Sequence, residues 1–246
     1  MTLAWASRKA RQALSSPGFS SDIAGNILPH HVVSLTKVAQ AKTVANQEIR
    51  RNQPMKWAID PSHSSVTFTI RHMMSKVRGE MKVKEGWIET ADDDLSKAKV
   101  EVVLDANSID TGVEPRDNHL RSADGHFDVA NYPTITFKSK RIEGKDRSNF
   151  KVIGDLTIHG VTKEIVLNAS FTGEGIDPWG NRRVGFSAET RLNRKDFNLT
   201  WNQALEAGGF LLGDDVKVEI DVEAVAAQTP SEAKADVDAV AAAESR

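Results

Sequence analysis

The feature that most constrains this chain is a hydrophobic period of two that recurs through its middle. In DVKVEIDVEA, Val216, Val218, Ile220 and Val222 fall on one face and Lys217, Glu219, Asp221 and Glu223 on the other. Successive strand side chains point to opposite sides, so this segment reads as a strand with one dry and one wet face. Seven earlier segments behave alike. Val66, Phe68 and Ile70 alternate with Thr67, Thr69 and Arg71; Val77, Met81 and Val83 with Arg78, Glu80, Lys82 and Lys84; Ala98, Val100, Val102 and Leu104 with Lys97, Lys99 and Glu101. The others are 134–142 (Ile135, Phe137 inward), 150–158 (Phe150, Val152, Leu156, Ile158), 163–172 (Ile165, Leu167, Phe171) and 183–193 (Val184, Phe186, Leu192). Eight antiparallel strands with wet outer faces remove their edges by closing into a barrel, whose interior is either filled by side chains or holds one ligand. The expected class is therefore all-β, an eight-stranded antiparallel barrel. A two-sheet sandwich alternates in the same way and stays open at this point.

One connection breaks the rhythm of short turns, running from Asn107 to Pro133 between the third and fourth strands. Pro115 suits a first helical position and Gly125 the residue just past a helix end, so EPRDNHLRSADG reads as a short helix inside a long loop, the kind of insertion that serves as a lid. The barrel pattern is confined to 55–225. Before it, residues 1–54 carry Arg8, Lys9, Arg11, Lys37, Lys42, Arg50 and Arg51 against Asp22 and Glu48, with no sustained period. They read as a disordered basic extension, or as an upstream start the cell does not use, since Met55 stands before the first ordered segment; the functional alternative is a basic targeting arm. After the barrel, 226–246 reads as a mobile tail rich in alanine and acid.

The chain's net charge of -2 excludes a whole-chain basic field, so nucleic acid is not the expected partner. The absence of cysteine excludes a disulfide framework, a thiolate zinc site and a cysteine nucleophile. No run approaches the ~20 apolar residues that cross a bilayer, and the first residues lack a continuous apolar core of a signal peptide. The expectation is a soluble, cytoplasmic protein without integral membrane association, with a homodimer left open.

Four stretches resemble the YceI-like family of bacteria, polyisoprenoid-binding proteins of lipocalin-like barrel shape: WAIDPSHSSVTFTIRHM from Trp57, SIDTGVEPRDNHLRSAD from Ser108, GDLTIHGVTKEI from Gly154, and RKDFNLTWNQALEAGGFLLGDDVKVEID from Arg194. They keep the family's order and span nearly the whole middle region. The resemblance implies a long barrel that binds, stores or transports an extended isoprenoid, quinone or fatty chain without catalysis. Two departures stand out. Asn198 follows Asp196 and Phe197 where the family usually has glycine, and asparagine is the next best residue for a left-handed turn. SADGHFD is about one residue longer than usual, which bears on the mouth near His126 and Phe127.

On that reading the pocket lining comprises Val66, Phe68, Ile70, Met81, Val102, Phe127, Phe137, Leu156, Phe186, Leu192, Phe197 and Trp201. Arg116, His119 and Arg121 are candidates for a head group at the mouth, since arginine offers paired donors to anionic oxygens. The competing reading leaves the arginines solvated or ties them to Asp117, Asp124 or Asp128. Trp179 and Tyr132 join the candidate aromatic rim. His63, His72, His119, His126 and His159 invite a metal or acid–base reading, but there is no HExxH, and His119 and His126 are seven apart, not three or four. His63 and His159 read as turn residues and His72 as a polar group at the rim. GxSxG, GxGxxG and P-loop motifs are missing. No catalytic residue, metal or cofactor is expected, a bound isoprenoid or quinone-type lipid aside. The rivals are an enzyme modifying an isoprenoid lipid through His119, Arg116 and Asp124, and a packed barrel acting as a stress-response interaction module.

Overall fold

The computed structural model describes residues 55–90, 95–144, 146–206 and 208–227. The expected basic extension and all but Ala226 and Ala227 of the expected tail lie outside them.

The strands are β1 (Met55–Ile59), β2 (Ser65–His72), β3 (Ser75–Met81), β4 (Val83–Thr90), β5 (Lys99–Asp105), β6 (Thr134–Gly144), β7 (Phe150–Ile158), β8 (Val161–Ile176), β9 (Arg182–Asn193) and β10 (Leu212–Ala226). They pair in the order β1-β4-β5-β6-β7-β8-β9-β10, and β10 returns to β1 through Trp57 opposite Ala226 and Ile59 opposite Ala224. β2 and β3 prolong β1 and β4, with β2 lying along β10 from Ser65 to His72. Counted as broken pairs, β1–β2 and β3–β4 are one strand each, which makes a closed antiparallel barrel of eight. Closure decides against the sandwich: β10 has a partner on both sides, and a row of unpaired amides is avoided there.

The expected segment over Val77–Lys84 straddles the β3–β4 join, and neither β1 nor the rest of β4 stood out in the pattern. A register shift between Val83 and Glu85 explains why, because a bulge moves the inward phase by one residue. Gly86 adds to it: a side chain there would meet Ile59 Cδ1 at 2.7 Å and the Glu101 carbonyl oxygen at 2.9 Å, so β4 needs its glycine for close approach.

Four connections cross the same end of the barrel: the β2–β3 turn, the long β5–β6 loop, the β7–β8 turn and the β9–β10 loop. The β7–β8 turn is His159–Gly160, with φ of 49° and 74°, the pair of left-handed residues that a two-residue hairpin demands. The β5–β6 loop carries α1 (Glu114–Arg121), with Pro115 in its first turn. Here the expected helix end is corrected. The chain leaves the helix at Ser122, whose amide bonds the Asn118 and His119 carbonyls, and Gly125 is not a left-handed cap. Its glycine is needed because the loop doubles back under the helix, where a Cβ would overlap the His119 carbonyl oxygen. Asn198 does take the left-handed conformation, at φ 59°.

The opposite end is packed by Trp57, Ile59, Val83, Ile88, Val184 and Ala224, with Phe171 and Phe186 against them. No described helix is long and apolar enough to cross a membrane.

Candidate ligand-binding cavity

Between that floor and the loops lies a cavity of about 590 Å³. It runs the length of the barrel. Along β10 alone, Leu212, Val216, Val218, Ile220 and Val222 all face it, and ten residues of strand span about 30 Å. The volume is thus drawn out along the strands as a slot. A barrel interior packed solid with side chains is not what this sequence builds.

The structure places all twelve candidate lining residues on the wall of this cavity. Val66, Phe68 and Ile70 face it from β2, Met81 from β3, Val102 from β5, Phe137 from β6, Leu156 from β7, and Phe186 and Leu192 from β9; Phe127, Phe197 and Trp201 close it from the loops. The wall is apolar except at the ends. No carboxylate lines it, and its polar side chains gather mostly at the loop end, where Thr111, Arg116, His119, His126, Thr190 and Arg194 come together.

The helix is locked by a buried acid. Asp117, 4% exposed, accepts hydrogen bonds from the amide of Thr111 at 3.0 Å and from its hydroxyl. The same hydroxyl accepts from Arg116 Nε at 2.7 Å, and Arg116 Nη2 donates to the Thr111 carbonyl at 3.0 Å. Arg116 therefore reaches Asp117 only through Thr111 and pairs with no carboxylate among the described residues, contrary to the reading that ties it to an aspartate. Arg121 is not part of the wall. Its guanidinium donates to the Asn107 and Ile109 carbonyls and to Asn118 Oδ1, which pins the start of the long loop to the helix. Asp124 is exposed and outside the wall, so Arg116, His119 and Asp124 do not assemble into one polar centre.

The sequence spacing separated His119 and His126, yet the structure brings them to one place. The loop that turns at Gly125 returns His126 beneath α1, and the Trp201 ring stands near both imidazoles, 4.7 Å from His119 and 5.7 Å from His126 by centroid. His126 is 7% exposed and its Nδ1 has no hydrogen-bond partner. Burial, aided by the charges of Arg194 and His119, pushes its pKa down to about 4, so the ring is neutral near pH 7.

Arg194 was not foreseen as part of the site. At 3% exposed it donates to the Gly213, Leu199 and Trp201 carbonyls and to Asp214, and so fixes the loop that carries Trp201. Burial lowers its pKa and Asp214 opposes that. The signal was present as a charged residue at the head of RKDFNLTW, but nothing in the pattern says that a guanidinium turns inward.

The remaining candidates lie elsewhere. His72 lines the cavity at the end of β2. Tyr132, in the β5–β6 loop, meets His159 of the β7–β8 turn edge-to-face with ring centroids 4.5 Å apart, and Trp179 is 79% exposed on the turn at the floor end. His63 sits in the β1–β2 turn, its Nδ1 2.8 Å from Asp60 Oδ2. With Glu223 these form a group whose ligand atoms lie within 4.8 Å of one another. Arg183 already bridges it, bonding Asp60, Glu223 and Asp177. Hydrogen bonds from Ser62, Arg183 and His63 hold the Asp60 carboxyl well below the usual range, as expected of an ion-pair knot that ties the β1–β2 turn to β9 and β10.

Comparison with known proteins fits this architecture. Residues 57–224 match the YceI-like domain family. A UPF0312 protein of Vibrio cholerae serotype O1 is 38% identical over 165 residues, covering 67% of this chain and 82% of the relative. The crystal structure of a Campylobacter jejuni YCEI protein is similar with a TM-score of 0.53 at 32% identity, over 64% of this chain and 90% of the other. A polyisoprenoid binding domain from Saccharophagus degradans has a TM-score of 0.50 at 16% identity, over 70% and 98% of the two chains, and shows the fold alone.

Proposed function

Since this chain belongs to the YceI-like family, we propose that its barrel binds, stores or carries one long apolar chain, of isoprenoid, quinone or fatty type, without catalysing a reaction on it. The observation that carries this reading is the elongated apolar slot of about 590 Å³, polar mainly at its loop end. A single extended chain with a polar head matches both features. Each buried CH₂ contributes about 0.8 kcal/mol before the ordering entropy of chain and side chains is set against it, so affinity should rise with length until the slot is full. The Saccharophagus degradans domain of the same fold is described as polyisoprenoid binding, and the ligand proposed for this chain is of that class.

The head group would lie under α1, near Arg116 and His119. Arg116 Nη1 has no hydrogen-bond partner among the described residues, and a guanidinium can donate in parallel to oxygens of a phosphate, carboxylate or quinone. Arg121, fully engaged with the loop, drops out of this role. Catalysis by the mouth residues is disfavoured because Asp124 is turned away and neutral His126 has no carboxylate or hydroxyl bonded to its Nδ1 to orient it.

The test is uptake by delipidated protein of three probes, an isoprenoid quinone, a polyprenol and a long-chain fatty acid, followed by quenching of Trp201 emission with Trp201→Phe as control. Saturable one-to-one uptake of at least one probe is expected. Failure of all three to bind would remove the proposal.

A further inference from the structure

A lipid carrier must take its cargo from somewhere, and the loop end of the barrel has one edge built differently from the rest. The β2–β3 turn is Met73–Met74, and both side chains face water: Met73 is 45% exposed and Met74 fully so. Met73 holds a left-handed backbone at φ 50°, uncommon outside glycine and asparagine. Its amide bonds the Leu211 carbonyl at 2.8 Å, which ties the turn to the β9–β10 loop and to Phe210, itself 59% exposed. Leu211, next to Phe210, faces the cavity. An exposed apolar tip therefore adjoins the mouth directly.

The flanks of the tip are cationic. Arg71 lies opposite Lys76 across the hairpin, with Arg78 two residues further on; all three are exposed, and Arg71 and Lys76 make no ion pair among the described residues. The long loop, which pairs with β3 through Glu80 and Asp110 further from the tip, is acidic, with Asp110, Glu114 and Asp124 exposed. Large apolar side chains on a basic rim match the boundary of an anionic bilayer, where rings and thioethers enter the headgroup layer and cations meet phosphate.

We propose that the β2–β3 tip, with Met73, Met74 and Phe210 as the inserted side chains and Arg71, Lys76 and Arg78 around them, docks the barrel on an anionic lipid surface. Docking places the mouth beside the membrane at the edge where Leu211 leads inward. It rests on the lipid-carrier reading for its purpose, though not for its test.

The test is co-sedimentation of the full chain with vesicles of phosphatidylcholine plus phosphatidylglycerol, beside phosphatidylcholine alone. Wild type should sediment with the anionic vesicles, less with the neutral ones, and release as salt is raised. The pair Met74→Ser and Phe210→Ser should weaken partitioning about tenfold or more, from the apolar burial lost. It should leave probe uptake from detergent solution unchanged, since neither residue lines the cavity. Absence of binding to anionic vesicles would overturn the proposal, and so would equal binding by the double variant. Self-association abolished by that variant, without vesicle binding, would make a second copy the occupant and also overturn it. Because uptake is read separately, an empty cavity in a protein that still binds vesicles would sink the carrier reading alone.

Discussion

At the scale of single residues, the loop end of the cavity is controlled by side chains whose environment departs furthest from their type. His126 is the clearest. It is held neutral down to about pH 4 by burial, whereas an exposed histidine takes up its proton near 6.5. Between those values the unfolded chain binds a proton that the folded chain refuses, so stability is full above about 6.5 and falls as pH drops towards 4. The shift corresponds to about 3 kcal/mol across the window. His126→Phe should flatten that part of the profile, measured by urea unfolding at pH 7 and pH 4.5 against wild type. An unchanged slope in the variant would show that His126 is not the titrating group. This residue also marks what the sequence conceals: a spacing of seven argues against two histidines meeting on one helical face, and they meet because a loop folds back instead. Arg194 was hidden for a related reason, since whether a guanidinium faces solvent or three backbone carbonyls depends on the path of a loop that has no period.

The elements were more legible than the site. Seven of the eight alternating segments each become one strand with the expected face inward, and Val77–Lys84 is shared between β3 and β4, because one face packs on the interior and a slip of one residue would reverse it. The failures fall where geometry interrupts alternation: at the bulge between Val83 and Glu85, at Gly86, and at the kink of Asp60–Ser64 that splits the first strand. Turns whose chemistry is local were readable, His159–Gly160 and Asn198 among them. The helix was readable in place but not in extent, as Gly125 serves a close approach and not a cap. These distinctions give a prediction for α1. Its attachment runs through Asp117, so Asp117→Ala should leave the buried Thr111 amide and hydroxyl unsatisfied and cost about 1–3 kcal/mol. Hydrogen exchange should quicken first in Glu114–Arg121 and the β5–β6 loop, with β7 to β10 still protected. Uniform loss of protection through the barrel would mean that the helix is part of the core and not a separately hinged cover.

For the whole molecule, alternation gave eight antiparallel strands but left both closure and the interior undetermined, as a sandwich alternates like a barrel and inward valines and leucines serve a filled barrel and a hollow one equally. What separates them is the sum of side-chain volumes against the girth set by eight strands and their stagger, which a one-dimensional pattern does not carry. The structure resolves this with a slot of about 590 Å³ joined to a polar mouth and, at one edge, to an apolar tip. The central claim is that this slot holds a lipid chain. Native mass spectrometry of the full chain, beside an Ala188→Trp variant that places an indole inside the slot, tests it most directly. The account predicts wild type carrying one lipid-sized adduct, released by organic solvent, and a folded variant carrying none or a shorter one. A wild-type protein with no adduct before or after incubation with isoprenoid and fatty lipids, or a variant that carries the same lipid as wild type, would contradict it.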